Sequence, residues 1–248
     1  MSGHSKWSTI KRKKGAADAK RGQLFTKLAR EITVAARTGL PDPDANVRLR
    51  LAVQKARVEN MPKDNIDRAI QRAVGSEGGD QFDELYYEGY GPGGVAVMIL
   101  AMTDNRNRTV GEVRAVLTRA GGTLGETGSV NWMFDEVGVI GLNAGDKDPE
   151  EVALVAIDAG ASDVTDEDGA VEVYTEPRDL HKVQEELTGA GCEVESAELI
   201  MKPKTLMTPD EDEAVQVIRL LEKLEELDDV QTVYSNLDIT DDVLAHVS

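Results

Sequence analysis

From Asp18 onward the apolar positions recur with a helical period. At 100° per residue, Leu24, Phe25, Leu28, Ala29, Ile32 and Ala36 share one arc of about 140°, while Lys20, Lys27, Arg30 and Arg37 share another of about 100°. The pattern predicts a helix with one packed face and one positive face. Gly39-Leu40-Pro41-Asp42-Pro43 stops it, Asp44 is placed to cap a second helix running to about Asn60, and Pro62 opens a third ending before Gly75. Gly75-Ser76-Glu77-Gly78-Gly79-Asp80 reads as a linker.

Beyond the linker the period changes. Strands are expected near 83–90 and 94–103, a helix near 108–120 and a strand near 130–135. From Val137 the order is strand 137–142, helix 149–159, strand 162–166, a turn at Asp168-Gly169, strand 170–175, helix 177–189 and strand 193–201. That order, βαββαβ, is the split ferredoxin-like arrangement. A helix over 209–227 follows, with Thr208-Pro209-Asp210-Glu211 offering a capping box, and then a strand near 229–235. These last elements complete the sheet begun at 80–135. The fold class expected is therefore multidomain α/β (α+β): a basic arm and three-helix domain over 1–78, a discontinuous α/β domain over 79–135 plus 205–248, and an inserted ferredoxin-like domain over 136–204.

Composition narrows the function. Across 248 residues, 40% hydrophobic content with 23 glycines is ordinary for a globular chain. The longest apolar run, Val95 to Met102, is far short of the roughly 18 residues that span a bilayer, so no membrane is expected. Cys192 is the only cysteine and His4, His181 and His246 the only histidines, which excludes an intrachain disulfide and disfavours zinc chemistry. The formal charge of −18 conceals an asymmetry: residues 1–75 carry 17 Lys+Arg and 7 Asp+Glu, net +10, and the remaining 11 and 39 give residues 76–248 a net −28. Such a split points to an anionic partner for the basic end.

Motifs for catalysis are weak. Gly89-Tyr90-Gly91-Pro92-Gly93-Gly94 satisfies G-x-G-x-x-G but opens a strand rather than a helix, so Pro92-Gly93 reads as the centre of a type II turn. Asp163, Asp166, Glu167 and Asp168 precede Gly169, yet a calcium loop aligned on that glycine has Thr175 where Glu is required; a hairpin turn fits better. No nucleophile elbow occurs, and no cofactor or metal is expected. The arm differs. Lys6, Lys11, Arg12, Lys13 and Lys14, with no acid among the first 17 residues, can neutralise successive phosphates, and Trp7 offers a stacking surface. Lys20, Arg21, Lys27 and Arg30 continue that charge along the first helix; a merely solubilising tail is the plain alternative. Asn105, Arg106, Asn107 and Arg108, at a strand-to-helix junction, can hold phosphates or base edges. Equally, Asp104 and Asn105 can cap the helix while the arginines pair with acids. The third helix offers Lys63, Asn65, Arg68, Gln71 and Arg72 as groove readers, although the Gly39–Pro43 turn is long for a helix-turn-helix.

Gly3-His4-Ser5-Lys6-Trp7, Asp18-Ala19-Lys20-Arg21-Gly22, Phe25-Thr26-Lys27, Asp42-Pro43-Asp44-Ala45-Asn46, Met61-Pro62-Lys63-Asp64, the 87–94 glycine-rich stretch and Asp104-Asn105-Arg106-Asn107-Arg108-Thr109 together closely resemble the YebC family. Gly121-Gly122, Gly128-Ser129-Val130 and Asp228-Asp229-Val230-Gln231 continue the resemblance over nearly the whole chain, less densely in 136–204. It implies a three-domain protein, helical first with an inserted domain, and a non-enzymatic regulator of gene expression. Members of the family are described as probable DNA-binding transcriptional regulators; others look like ribosome-associated translation factors that bind ribosomal RNA and aid synthesis of proline-rich segments. Its mitochondrial branch is the translational activator of cytochrome c oxidase subunit I. The start at the usual bacterial position implies a cytoplasmic bacterial protein. An enzyme or small-molecule-binding module using a cleft between the two α/β domains is the reading from a different class.

Overall fold

The computed structural model describes residues 18–75, 82–143, 148–167, 170–240 and Val243. The basic arm, most of the linker and the Asp168-Gly169 turn lie outside them. Three helices come first: α1 (Asp18–Thr38), α2 (Val47–Val58) and α3 (Lys63–Val74). Leu28, Ile32, Ala35 and Ala36 of α1 meet Leu49, Ala52, Val53 and Ala56 of α2, with Ile66 and Ala69 of α3, in one buried cluster. The apolar arc of α1 is thus its packed face.

The cap of α2 is Asn46 rather than Asp44. Asn46 Oδ1 accepts from Leu49 N at 3.1 Å, while its Nδ2 donates to Ala35 O at 2.9 Å and Leu40 O at 2.7 Å. Asp44 is held in the preceding turn, where its N–H donates to Asp42 Oδ1. An amide has donors as well as an acceptor, so one side chain starts α2 and closes the end of α1; a carboxylate can do only the first.

The chain continues through β1 (Asp83–Tyr90), β2 (Ala96–Thr103), α4 (Arg106–Arg119) and β3 (Thr123–Leu124). Then come β4 (Phe134–Asn143), α5 (Pro149–Ala159), β5 (Asp163–Glu167), β6 (Ala170–Thr175), α6 (Leu180–Gly189) and β7 (Glu193–Pro203). Last are α7 (Glu211–Glu225) and β8 (Val230–Ser235). The seven helices and two antiparallel sheets described make a mixed α/β protein, with a helical domain ahead of the sheets.

The first sheet has the order β3-β1-β2-β8, so its fourth strand comes from far along the chain, with Val97 opposite Ser235 and Ala101 opposite Val230. β2 is buried at seven of its eight positions, which explains its unbroken apolar run. Val97 and Ile99 pack with Val113 and Leu117 of α4 and with Val217, Leu221 and Leu224 of α7. Between β1 and β2 the glycine-rich stretch makes the expected turn: Gly94 N donates to Gly91 O at 3.2 Å, and Gly93 has φ 65° and ψ 8°, the geometry of the third position of a type II turn.

Two further local expectations fail. No strand covers 130–133; a 3-10 turn spans Asn131–Met133 and β4 begins at Phe134. The cause is Glu88 of β1, a 5% exposed carboxylate that accepts from Gly128 N (2.7 Å), Val130 N (2.7 Å) and Asn131 N (2.9 Å). Backbone donors spent on a carboxylate are unavailable to a strand ladder. Burial pushes the Glu88 carboxyl up, but the three N–H donors outweigh it and hold the group below its ordinary value. The capping box at 208–211 also does not form. Asp210 takes the cap position without a side-chain bond, and Thr208 Oγ1 lies 3.3 Å from Asp238 Oδ2 because 207 and 237 run side by side as a parallel bridge.

The second sheet has the order β5-β6-β4-β7, the order of a split βαββαβ unit. Ile140 opposes Val173 and Leu142 opposes Val171, all four buried; α5 and α6 pack on each other and on β6 and β4 respectively. By their contacts, residues Phe134–Lys202 group as one unit, and the described residues up to Met133 group with those from Pro203 as another. Among the described residues no helix is long and apolar enough to cross a membrane.

Candidate nucleic-acid interface

Lys6, Trp7, Lys11, Arg12, Lys13 and Lys14 lie outside the described residues, and Lys20 lies on α1 without a described side chain. Arg21 is exposed at the start of α1. Lys27 and Arg30 have protein partners. Lys27 Nζ donates to Glu225 O at 2.5 Å, and Gln23 Nε2 donates to Glu226 O at 2.7 Å. These carbonyls belong to the C-terminal end of α7, where unsatisfied C=O groups and the helix dipole favour cations. Arg30 Nη1 donates to Asp228 O at 2.5 Å and to Asp229 Oδ1 at 3.0 Å. Lys27 and Arg30, two of the four cations of that face, are thereby anchored on the end of α7 and the segment joining it to β8.

The 104–109 stretch converges on the same carboxylate. Asn105 caps α4, its side chain accepting from Arg108 N at 3.1 Å. Arg106 Nε donates to Asp83 Oδ2 at 2.7 Å, a hydrogen bond that lowers the Asp83 carboxyl and raises the guanidinium. Arg108 Nη2 bridges Asp104 Oδ1 at 2.8 Å and Asp229 Oδ2 at 2.6 Å. Asn107 is exposed on the first turn of α4. Of the two readings of this stretch, the capping and pairing geometry describes what Asn105, Arg106 and Arg108 do within the chain.

Asp229 is the centre of the arrangement. It is 1% exposed, with Thr103 Oγ1 at 3.0 Å and Thr109 Oγ1 at 2.7 Å from Oδ2 in addition to the two arginines. Burial pushes its carboxyl up; the hydrogen bonds from Arg108, Thr109 and Thr103 prevail and hold it below the ordinary value. Nothing local in the sequence marks Asp229 among 46 acidic residues, because its partners come from α1, β2 and α4. The signal that touched it was the Asp228-Asp229-Val230-Gln231 string within the family resemblance. Among the described residues no group of three or more His, Cys, Asp and Glu is placed to hold a metal ion.

Comparison with known proteins places this architecture. The family description "TACO1/YebC protein N-terminal domain" matches residues 5–76, and "TACO1/YebC second and third domain" matches residues 82–237. A probable transcriptional regulatory protein of Chloroflexus aurantiacus is 56% identical over 99% of this chain and 98% of its own length. One from Dehalococcoides mccartyi is 54% identical over 98% of this chain and 97% of its own. The crystal structure of a conserved hypothetical protein from Aquifex aeolicus superposes with a TM-score of 0.83 at 49% identity, covering 90% of this chain and 93% of that one. On both sequence and fold, the chain belongs to the TACO1/YebC family.

Proposed function

We propose that the protein is a non-enzymatic, nucleic-acid-binding regulator of gene expression that acts on DNA as a transcriptional regulator. The carrying observation is the charge division: net +10 over residues 1–75 against net −28 over the rest. Lys6, Lys11, Arg12, Lys13 and Lys14 supply the phosphate contacts, Trp7 a stacking surface, and Lys20 and Arg21 extend the grip onto α1. Lys27 and Arg30 secure that helix through Glu225, Asp228 and Asp229, and Arg106 and Arg108 brace the start of α4. The net −28 of the acidic remainder limits non-specific adhesion to polyanions. The names of the relatives, probable transcriptional regulatory proteins, support the regulatory reading.

Replacing Lys11, Arg12, Lys13 and Lys14 with Ala tests the arm. Each lost phosphate contact removes about 0.9 from the slope of log K against log salt on duplex DNA, so the variant should bind all sequences more weakly with a flatter slope. An unchanged slope overturns the arm's role. Ultraviolet crosslinking in cells, with recovered DNA and RNA sequenced in parallel, tests the target: enrichment at promoter DNA is the expected result. Concentration at a few positions of ribosomal RNA would make the protein a ribosome-associated translation factor instead.

A further inference from the structure

Several of the arginines described in this protein are spent on internal partners. Arg30, Arg48, Arg106 and Arg108 pair with carboxylates, and Arg50 donates to the carbonyls of Pro43 and Asp44. Arg68 and Arg72 of α3 belong to those without one: both are exposed, and neither makes a hydrogen bond or ion pair with any described residue. Asp64 lies one turn before Arg68, and the two do not pair. Two guanidinium groups four residues apart on one helix face repel each other.

The two arginines stand on the rim of a cavity of about 350 Å³ between α1 and α3. Phe25 and Phe82 contribute aromatic surface, Met61 apolar surface and Asn65 an amide that has no described hydrogen-bond partner. Phe82 is held in place from one side: the Arg30 guanidinium sits 5.2 Å from its ring centroid, within cation–π range, and is itself fixed by Asp229. The cavity is large enough for a small planar ligand. Its chemistry is specific in kind. Aromatic rings stack on planar bases of any sequence, a free amide reads a base edge through paired donor and acceptor, and unpaired guanidinium forks bind phosphate.

We infer that this cavity receives one unpaired nucleotide of the bound nucleic acid, with the base against Phe25 and Phe82, the Asn65 amide at its edge, and the flanking phosphates on Arg68 and Arg72. The inference rests on the nucleic-acid-binding reading above and adds a strand requirement: a base buried in the cavity has left its duplex stack. Arg68 and Arg72 are then grips for single-stranded backbone rather than groove readers of a helix-turn-helix. Duplex phosphates remain the business of the arm.

The test uses the full chain and short oligonucleotides, deoxyribo and ribo, single-stranded and duplex, carrying 2-aminopurine at one position. Binding of either single strand should raise 2-aminopurine fluorescence as the base unstacks from its neighbours. The R68Q/R72Q variant, altered only at exposed positions, should lose about tenfold in single-strand affinity and about 1.4 from the single-strand salt slope, two phosphates at roughly 0.7 each. Its duplex affinity should match that of the parent. F25L should abolish the fluorescence rise while leaving the salt slope intact. A stronger response from the ribo or the deoxyribo strand identifies which nucleic acid supplies the nucleotide. If the parent binds but R68Q/R72Q loses nothing, or loses single-strand and duplex affinity alike, the cavity assignment falls and the arm reading stands. If the parent binds none of the four probes, both fall.

Discussion

Arg30 and Asp229 meet at 3.0 Å across 199 residues of sequence, and their contact ties the first helix to the segment that leads into the last strand of the first sheet. Asp229 also receives Arg108, so one buried carboxylate balances two guanidinium groups from different elements. Removing one partner of a buried ionic cluster leaves the others uncompensated, typically at a cost of 3–5 kcal/mol. Because Arg108 is 43% exposed on its side chain and water can reach it, the D229N variant should lose about 2–3 kcal/mol, read as a lower urea midpoint. The acid limb should change too. The folded carboxyl titrates below its unfolded counterpart, so the native state binds fewer protons between the two values and stability rises with pH there. The Asp229 contribution is complete above the ordinary carboxylate range and is lost as pH falls through the depressed folded value. D229N should show a shallower loss of stability on acidification than the parent; an equal loss would remove Asp229 from the account.

Glu88 makes a second prediction. Its two oxygens accept from three backbone N–H groups of the loop before β4, whereas a glutamine presents an acceptor at one position and a donor at the other. In E88Q at least one N–H faces an amide NH₂, a loss of about 2–3 kcal/mol for buried donors left unsatisfied. Amide hydrogen exchange at Gly128, Val130 and Asn131 should accelerate with the drop in stability. Protection that persists at all three would show that the loop holds its shape without the carboxylate.

Glycines at two sites should respond in opposite directions. Gly93 has φ 65°, and a Cβ there would stand 2.7 Å from both Pro209 Cβ and Glu213 Oε2, so G93A should cost about 2–3 kcal/mol through strain and displacement of the start of α7. Gly111 lies inside α4, where an added Cβ meets nothing within 4 Å. G111A should gain about 0.5–1 kcal/mol by reducing the freedom of the unfolded chain. Thermal melts of the two variants, shifting down and up respectively, check both.

Periodicity exposed the elements well because most of them bury a continuous stripe or an alternating face: α1, β1, β2 and the β4-to-β7 series fall close to where the apolar pattern puts them. What it could not expose is competition for backbone donors and acceptors. Asn46 displaces Asp44 as a cap by reaching back to Ala35 and Leu40, and Glu88 holds the start of the expected 130–135 strand in a loop from about 40 residues away. The same holds for the candidate interface. Charge along the chain marks Lys27, Arg30, Arg106 and Arg108 as cations but is blind to Glu225, Asp228, Asp229 and Asp83, which fold against them. Arg68 and Arg72 looked no different from the others in sequence; only the structure separates a guanidinium with a partner from one without.

The strand order β3-β1-β2-β8 also dictates a schedule. Synthesis delivers all four strands of the second sheet in one stretch, 134–203, but leaves β2, with its apolar run, as a bare edge until residues 230–235 emerge. An exposed apolar edge invites pairing with other chains. The same late segment brings Asp229, so edge closure and the locking of α1 arrive together. Residues 229–235 thus serve as a completeness check on the polypeptide: a chain cut short before them keeps its first sheet open and its first helix unlatched, open to proteases and aggregation alike, and limited proteolysis of stalled nascent chains reads that state directly.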